Sequence, residues 1–146
     1  MTTFRSNGKL LLTAEYLVLD GARALALPTK LGQSLTVEKI DQPHIHWKSF
    51  DVNSDLWFEH VYPKNLFSTK LSDHQSVISK RLKELLISSK QLNEKFLTTN
   101  GGFNVSTNLE FPNNWGLGSS STLVNNIAQW AKVDPYQLLK NTFGGS

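Results

Sequence analysis

Residues 112–122 read Pro-Asn-Asn-Trp-Gly-Leu-Gly-Ser-Ser-Ser-Thr and run directly into an amphipathic segment with helical spacing. Gly116 and Gly118 let the backbone approach an anion without a side chain in between. The three serines at 119–121 can cap a helix start and donate hydrogen bonds to phosphate oxygens. The N–H groups at the start of the following helix also attract an anion. The stretch therefore predicts a phosphate-binding loop. The alternative is a glycine–serine turn that only caps a helix.

The composition is that of a soluble globular domain. The chain has 146 residues, 39% of them hydrophobic and 18% charged, which is enough for one domain with one core. It contains no cysteine, which excludes disulfides, thiolate zinc sites and cysteine nucleophiles and agrees with the cytoplasmic location that we expect. The apolar run 10–12 is too short for a signal peptide or a membrane helix, so we expect no membrane partner. The net charge of +3 comes from scattered basic residues, so we expect no nucleic-acid partner.

The first half of the chain predicts β-structure. Alternating apolar residues indicate strands at 34–40, 44–50 and 56–61, and their short connections favour antiparallel pairing. Residues 9–19 form an apolar stretch that ends at a turn, and 22–28 fit either a strand or a short helical piece.

The second half predicts helices around one further strand. Helical spacing covers 72–89, with Ser72 or Asp73 as cap and the charged residues at 80–84 on the solvent side. A strand at 103–109 precedes the glycine loop, a helix follows it, and Asp134 with Pro135 starts another helix. The order predicts a single α+β domain over 1–146, with a mostly antiparallel sheet and helices on one face.

A second motif lies near the N-terminus. Residues 8–21 read Gly-Lys-Leu-Leu-Leu-Thr-Ala-Glu-Tyr-Leu-Val-Leu-Asp-Gly, and Ala-Leu-Ala follows at 24–26. Together with residues 112–120, this stretch resembles the motifs of the GHMP small-molecule kinases, and in particular of mevalonate- and phosphomevalonate-kinase-like members. The resemblance implies the N-terminal, nucleotide-binding domain of such a kinase, with a fold like domain 2 of ribosomal protein S5.

The resemblance also implies roles for individual residues. Lys9 would lie near the transferred phosphoryl group of ATP, where a cation offsets developing charge. Ser120 would be a ligand of Mg²⁺, and Glu15 and Tyr16 would line the acceptor side for a small-molecule substrate. The residues that would hold the nucleotide are Pro112, Gly116, Leu117, Gly118, Ser119, Ser120 and Ser121.

The chain also departs from the family pattern. Ala14 stands where relatives have Gly, Tyr16 where mevalonate kinases usually have His, and Gln137-Leu138 where an acidic magnesium ligand often lies. The family's catalytic aspartate, its third motif and its C-terminal domain would all fall beyond Ser146. We therefore expect a kinase as the parent protein and no turnover by this chain alone. The alternatives are a non-catalytic nucleotide- or phosphate-binding module and an S5-like RNA-binding domain.

The remaining polar and aromatic residues carry weaker expectations. His44 and His46 share a strand face, and we expect a surface pair rather than a metal site. The aromatic residues Trp47, Trp57, Phe58 and Tyr62 are expected in the core, with stacking on a nucleotide base as the alternative. Without a second domain, apolar residues such as Leu123, Trp130 and Leu139 would be left open, and we expect a homo-oligomer through that surface.

Overall fold

The computed structural model of the chain describes residues 1–12, 25–63, 77–98, 100–112 and 119–142. Within these ranges it has five strands and three helices, so the α+β prediction is confirmed. The strands are β1 (Thr2–Leu12), β2 (Leu25–Ile40), β3 (His44–Phe50), β4 (Leu56–Pro63) and β5 (Gly102–Leu109). The helices are α1 (Val77–Leu92), α2 (Ser119–Ala131) and α3 (Pro135–Thr142).

The five strands form one sheet in the order β1-β2-β5-β3-β4. Its pairs are antiparallel except β3 with β5, which are parallel because the chain crosses back over the sheet through α1. The mostly antiparallel sheet is therefore confirmed for the described strands. β5 lies between β2 and β3, so the β1–β2 pair and the β3–β4 pair are not hydrogen-bonded directly to each other.

Alternation along the strands separates two faces of the sheet. In β3, Ile45, Trp47 and Ser49 are buried, whereas the residues between them are only partly buried. The inward side chains form one core with side chains of all three helices, and the other face carries polar residues. The main core contains, from the sheet and the helices, Leu35, Val37, Ile45, Trp47, Val105, Leu82, Leu85, Leu86, Val124, Ile127, Ala128 and Leu138.

Local capping sets the ends of α2 and α3. Asp134 accepts a hydrogen bond from the backbone N–H of Tyr136 at 2.8 Å, which confirms the predicted cap of α3. At the end of α2, Lys132 adopts a left-handed conformation with φ 59°. The N–H of Val133 then donates to the Ala128 carbonyl at 3.0 Å, which is the long hydrogen bond of a Schellman motif.

Two expectations about the elements were wrong in detail. β1 begins at Thr2, although no pattern predicted a strand before residue 9. Lys83 was expected on the solvent side of its helix, but it is only 2% exposed. It lies one turn after Ser79, which is also buried, on the face that packs against the sheet. The predicted caps Ser72 and Asp73 lie outside the described residues.

No helix in the described ranges is both long enough and apolar enough to cross a membrane.

Candidate functional site

Helix α2, which follows the second motif, packs across β1 and β2, and β1 contains the start of the first motif. Ser6, three residues before Lys9, donates a hydrogen bond from its hydroxyl to the side-chain oxygen of Asn126 at 2.6 Å. Gln33 pairs with Ser6 in the sheet and accepts a hydrogen bond from the hydroxyl of Thr122 at 3.2 Å. The strand of the first motif is therefore in direct contact with the helix that follows the second.

The direction of α2 places its first turn toward Lys9. The C-terminal end of the helix lies near the start of β1, because Trp130 and Thr2 line the same surface depression and Trp130 contacts the Phe103 ring at 5.5 Å. Thr122, near the other end of α2, donates a hydrogen bond to Gln33, which lies beside Ser6 in the sheet. Following β1 onward from Ser6 to Lys9 therefore leads toward the N-terminus of the helix.

The described residues locate only part of the predicted site. The backbone of Lys9 pairs with Pro28 just after an irregularity in the β1–β2 ladder. Ser119 and Ser120 form the start of α2, as predicted, and Ser121 is exposed on its first turn. Pro112 is half-buried and follows Phe111, which is fully buried. The remaining predicted residues, Glu15, Tyr16, Gly116, Leu117 and Gly118, lie outside the described residues.

An ion pair ties the start of the glycine-loop segment to β1. Arg5 donates from Nε and Nη2 to the two carboxylate oxygens of Glu110 at 2.7 and 2.6 Å, and Nη2 also donates to the Lys30 carbonyl at 2.7 Å. Glu110 also accepts a hydrogen bond from the backbone N–H of Gly32 at 3.1 Å. The hydrogen bond from Arg5 is the main cause that lowers the pKa of Glu110, and the same hydrogen bond raises the pKa of Arg5. Glu110 is two residues before Pro112, so the pair fixes where the chain leaves the sheet.

A mostly apolar cavity of about 440 Å³ lies beside the start of α2. Trp57 and Phe58 of β4 form one part of its wall, Leu123 and Val124 of α2 another, and Arg81 of α1 adds a cation. The volume lies in the range of small-molecule pockets, which are mainly apolar with a few polar groups. A ligand with an apolar or aromatic body of modest size could enter this cavity, where Arg81 is the nearby cation.

The aromatic residues divide between core and cavity. Trp47 and Tyr62 are each 1% exposed, which confirms the core prediction for them. The Tyr62 hydroxyl donates to the Ser79 carbonyl at 2.9 Å, and burial raises its pKa. Trp57 is 42% exposed and belongs to the cavity wall instead, so the core prediction was wrong for this residue.

The histidines give no metal site among the described residues. His46 lies 2.6 Å from Glu59 across the β3–β4 pair, so this histidine pairs with a carboxylate. No cluster of three or more histidine, aspartate or glutamate side chains occurs in the part of the chain that the structure describes. His60 is partly buried, and desolvation followed by the charge of Lys83 lowers its pKa.

Helix α3 has no carboxylate at residues 137 and 138, the positions where the family pattern often has an acidic magnesium ligand. Gln137 is exposed there and Leu138 is fully buried in the core. The apolar residues expected to be open differ among themselves. Leu123 and Trp130 pack against the core, whereas Leu139 is exposed.

A set of buried polar residues between α2 and the sheet was not predicted from the sequence: Ser6, Gln33, Thr122 and Asn126. Its helical members, Thr122 and Asn126, are four residues apart and so lie on one face of α2 beside its apolar stripe, and the exposed Gln129 continues this polar stripe at its border. This stripe was the available signal, but single polar residues in a helix are usually solvent-facing.

No protein-family model matches the chain, and no curated protein matches it. Solved structures do match it. The mevalonate kinase of Methanococcus jannaschii aligns with a TM-score of 0.69 at 14% identity, over 99% of this chain and 47% of that one. The galactokinase of Lactococcus lactis aligns with a TM-score of 0.63 at 15% identity, over 96% of this chain and 36% of that one. A mevalonate diphosphate decarboxylase from Legionella pneumophila aligns with a TM-score of 0.54 at 18% identity, over 97% of this chain and 40% of that one.

These likenesses establish the fold. The chain has the α+β fold that forms part of GHMP-type kinases such as mevalonate kinase and galactokinase, and it spans about half or less of their length. The same fold occurs in a decarboxylase, so the fold by itself does not specify the reaction.

Proposed function

We propose that this chain is the nucleotide-binding part of a GHMP-type kinase that transfers phosphate from ATP to a small metabolite. The ATP phosphates would lie at the N-terminus of α2, and the base would occupy the cavity that Trp57 and Phe58 line. The mevalonate and sugar kinases among the matching structures support phosphoryl transfer to a small molecule.

The observation that carries this proposal is the packing of α2 across the strand of Lys9. A phosphate loop alone is weak evidence for a kinase, since such loops also occur in proteins that only bind anions. Here the helix that begins at Ser119 lies against β1 with its first turn toward Lys9. The strand that contains Lys9 and the helix that begins at Ser119, about a hundred residues apart in sequence, are therefore neighbours in the fold, which supports the proposal.

The chemistry of this region suits phosphoryl transfer. The transition state carries negative charge on the phosphoryl oxygens, and enzymes stabilise it mainly by position and by fixed positive charge. The N-terminal dipole of α2 and the cation of Lys9 would both provide such charge. The cavity would hold the base at a distance from them, so that binding energy of the base orients the phosphates.

Magnesium would come with the nucleotide rather than to a preformed site. Mg²⁺ in kinases is held largely by phosphate oxygens together with one or two protein oxygens. Ser120, at the start of α2, would supply a hydroxyl oxygen. Because Gln137 and Leu138 offer no carboxylate, the described part of the chain fits a cation held mainly by ATP.

For the acceptor, we propose mevalonate or phosphomevalonate, which would place the parent protein in isoprenoid precursor synthesis. This proposal rests on the motif at 8–21, in which Glu15 and Tyr16 would face the acceptor. The RNA-binding alternative has less support, because the matching structures are enzymes of small metabolites. A non-catalytic nucleotide-binding module remains the second candidate, since Gln137-Leu138 replaces the acidic magnesium ligand that the family often has there.

Calorimetric titration with ATP tests the proposal on this chain directly. We expect saturable binding that weakens without Mg²⁺ and that is lost or strongly reduced in Ser120→Ala and Lys9→Ala. Ser89→Ala removes a buried hydroxyl in α1, and Lys39→Ala removes a cation at the opposite end of β2, so both should bind like the unmodified chain. Binding that is unaffected by removal of Mg²⁺ would favour the non-catalytic module, and no binding at millimolar ATP would refute a formed site in this chain.

A further inference from the structure

A group of polar side chains, called the polar seam here, lies buried between α2 and the first two strands. It consists of Ser6, Gln33, Thr122 and Asn126, and none of them is more than 6% exposed. The Asn126 side chain donates to the Gln33 backbone carbonyl at 2.9 Å and accepts from Ser6 at 2.6 Å. At its border, Asn125 donates to the Ser6 hydroxyl at 2.8 Å.

Polar groups in this position are not the most stable way to attach a helix to a sheet. Each buried polar side chain costs free energy unless it is hydrogen-bonded, and the net gain from each hydrogen bond is small. Apolar side chains of similar size would bind the helix at least as strongly, but they would permit several positions along the sheet. Hydrogen bonds with fixed partners permit only one position, because a displaced helix would leave buried donors and acceptors without partners.

The polar seam lies close to the start of α2 and to Lys9, so the single helix position that it permits determines how these two parts lie relative to each other. Thr122 is two residues after Ser120, within one helical turn of the start of α2. Ser6 is three residues before Lys9 on the strand that the helix covers. The seam therefore joins the two motifs close to the point where each would contact phosphate.

We propose that the polar seam is a positioning device that fixes the first turn of α2 relative to β1, and so fixes the phosphate site relative to Lys9. This inference rests on the proposed function for its catalytic meaning. A displacement of about 1 Å between reacting groups can reduce rates by about 100-fold. The hydrogen bonds of the seam oppose displacements of that size, because a shifted helix would leave buried donors and acceptors without partners.

The test compares two substitutions of Thr122. Thr122→Val keeps the shape of the side chain and removes the hydroxyl that donates to Gln33, whereas Thr122→Ser keeps the hydroxyl. We expect Thr122→Val to weaken ATP binding by about tenfold and Thr122→Ser to restore it to within about twofold. Ser89→Ala is the matched control, because it also removes a fully buried hydroxyl but lies on α1, outside the seam.

Amide hydrogen exchange of the same variants supplies a readout that needs no nucleotide. We expect Thr122→Val to accelerate exchange in the first two turns of α2 and to leave β3 and β4 unchanged, with circular dichroism showing an intact fold. Unchanged exchange in α2, or an equal loss of ATP affinity in Ser89→Ala, would overturn the positioning role. If the unmodified chain fails to bind ATP, the proposed function fails for this chain, and the exchange result still decides whether the seam positions α2.

Discussion

Trp57→Ala would separate the proposed base binding from folding at the cavity beside α2. Trp57 is 42% exposed and lies on an edge strand, so its removal should change the free energy of unfolding little. Trp47 lines the same cavity but is only 1% exposed, and its replacement by alanine would cost about 3–5 kcal/mol of stability. Trp57 is therefore the position where an effect on ligand binding is not confused with unfolding.

The expected magnitude follows from stacking. A base that stacks on an aromatic side chain gains about 1–3 kcal/mol, which corresponds to a loss of about 5- to 150-fold in affinity when the ring is removed. Trp57 shares the cavity wall with Phe58, and the two ring centroids are 6.1 Å apart, so Phe58 would retain part of the contact. We therefore expect Trp57→Ala to weaken ATP binding by about tenfold.

Calorimetry with ATP and with inorganic triphosphate is the appropriate assay. Trp57→Ala should weaken binding of ATP and leave binding of triphosphate unchanged, because triphosphate has no base. Tyr136→Ala is the control, since it truncates an aromatic side chain that is 79% exposed on α3 and does not line the cavity. Equal ATP affinity for Trp57→Ala and the unmodified chain would refute the placement of the base.

Three further predictions concern the frame around the site. The hydrogen bond from Arg5 lowers the pKa of Glu110 in the folded state, so the stability that this pair contributes is present above the ordinary pKa of 4.5 and is lost as the pH falls through the lowered value. The urea midpoint of unfolding should therefore fall over this pH range. In Glu110→Gln the fall should be smaller. Lys132→Gly should raise the free energy of unfolding by about 0.5–1 kcal/mol, since glycine adopts φ 59° without a Cβ penalty, and an unchanged or lower urea midpoint would contradict this. Gly32→Ala should lower it by about 1–3 kcal/mol, because the added methyl group would overlap the Ser6 carbonyl oxygen, and an unaltered thermal midpoint would count against the close strand approach.

The parts of the fold that sequence predicted best are those where burial alternates strictly or a cap is explicit. β3 spans His44–Phe50, as its alternation predicted. Asp134 caps α3 because its carboxylate is placed to accept the N–H of Tyr136. In both cases the decisive interactions are local, so a short stretch of sequence contains them.

The parts that sequence missed depend on distant partners. Thr2–Asn7 alternates only weakly because β1 is an edge strand with a polar outer face, so its pairing with β2 is not visible in its own residues. Lysine is usually a surface residue, and the burial of Lys83 follows from the packing of α1 against the sheet. Asn126 gains its role from Ser6 and Gln33, which are more than ninety residues earlier in the chain.

The candidate site shows the same division. The helix start at Ser119 follows from the glycine–serine pattern, and its phosphate role was predicted from the same residues. The cavity combines residues from four strands and two helices, so no single segment indicated it. The structure therefore added a cavity, which we propose to hold the base, to a phosphate-binding loop that the sequence predicted.

The most direct measurement is a nuclear magnetic resonance titration of the isotope-labelled chain with ATP and Mg²⁺. If the phosphates bind at the start of α2 and the base enters the cavity, the amides of Ser119–Ser121 and the indole N–H of Trp57 should shift together with one dissociation constant. Amides on the polar outer face of the sheet, such as Asn104, should not move. Shifts confined to that outer face, or no shifts at millimolar ATP, would contradict a nucleotide site between α2 and the sheet.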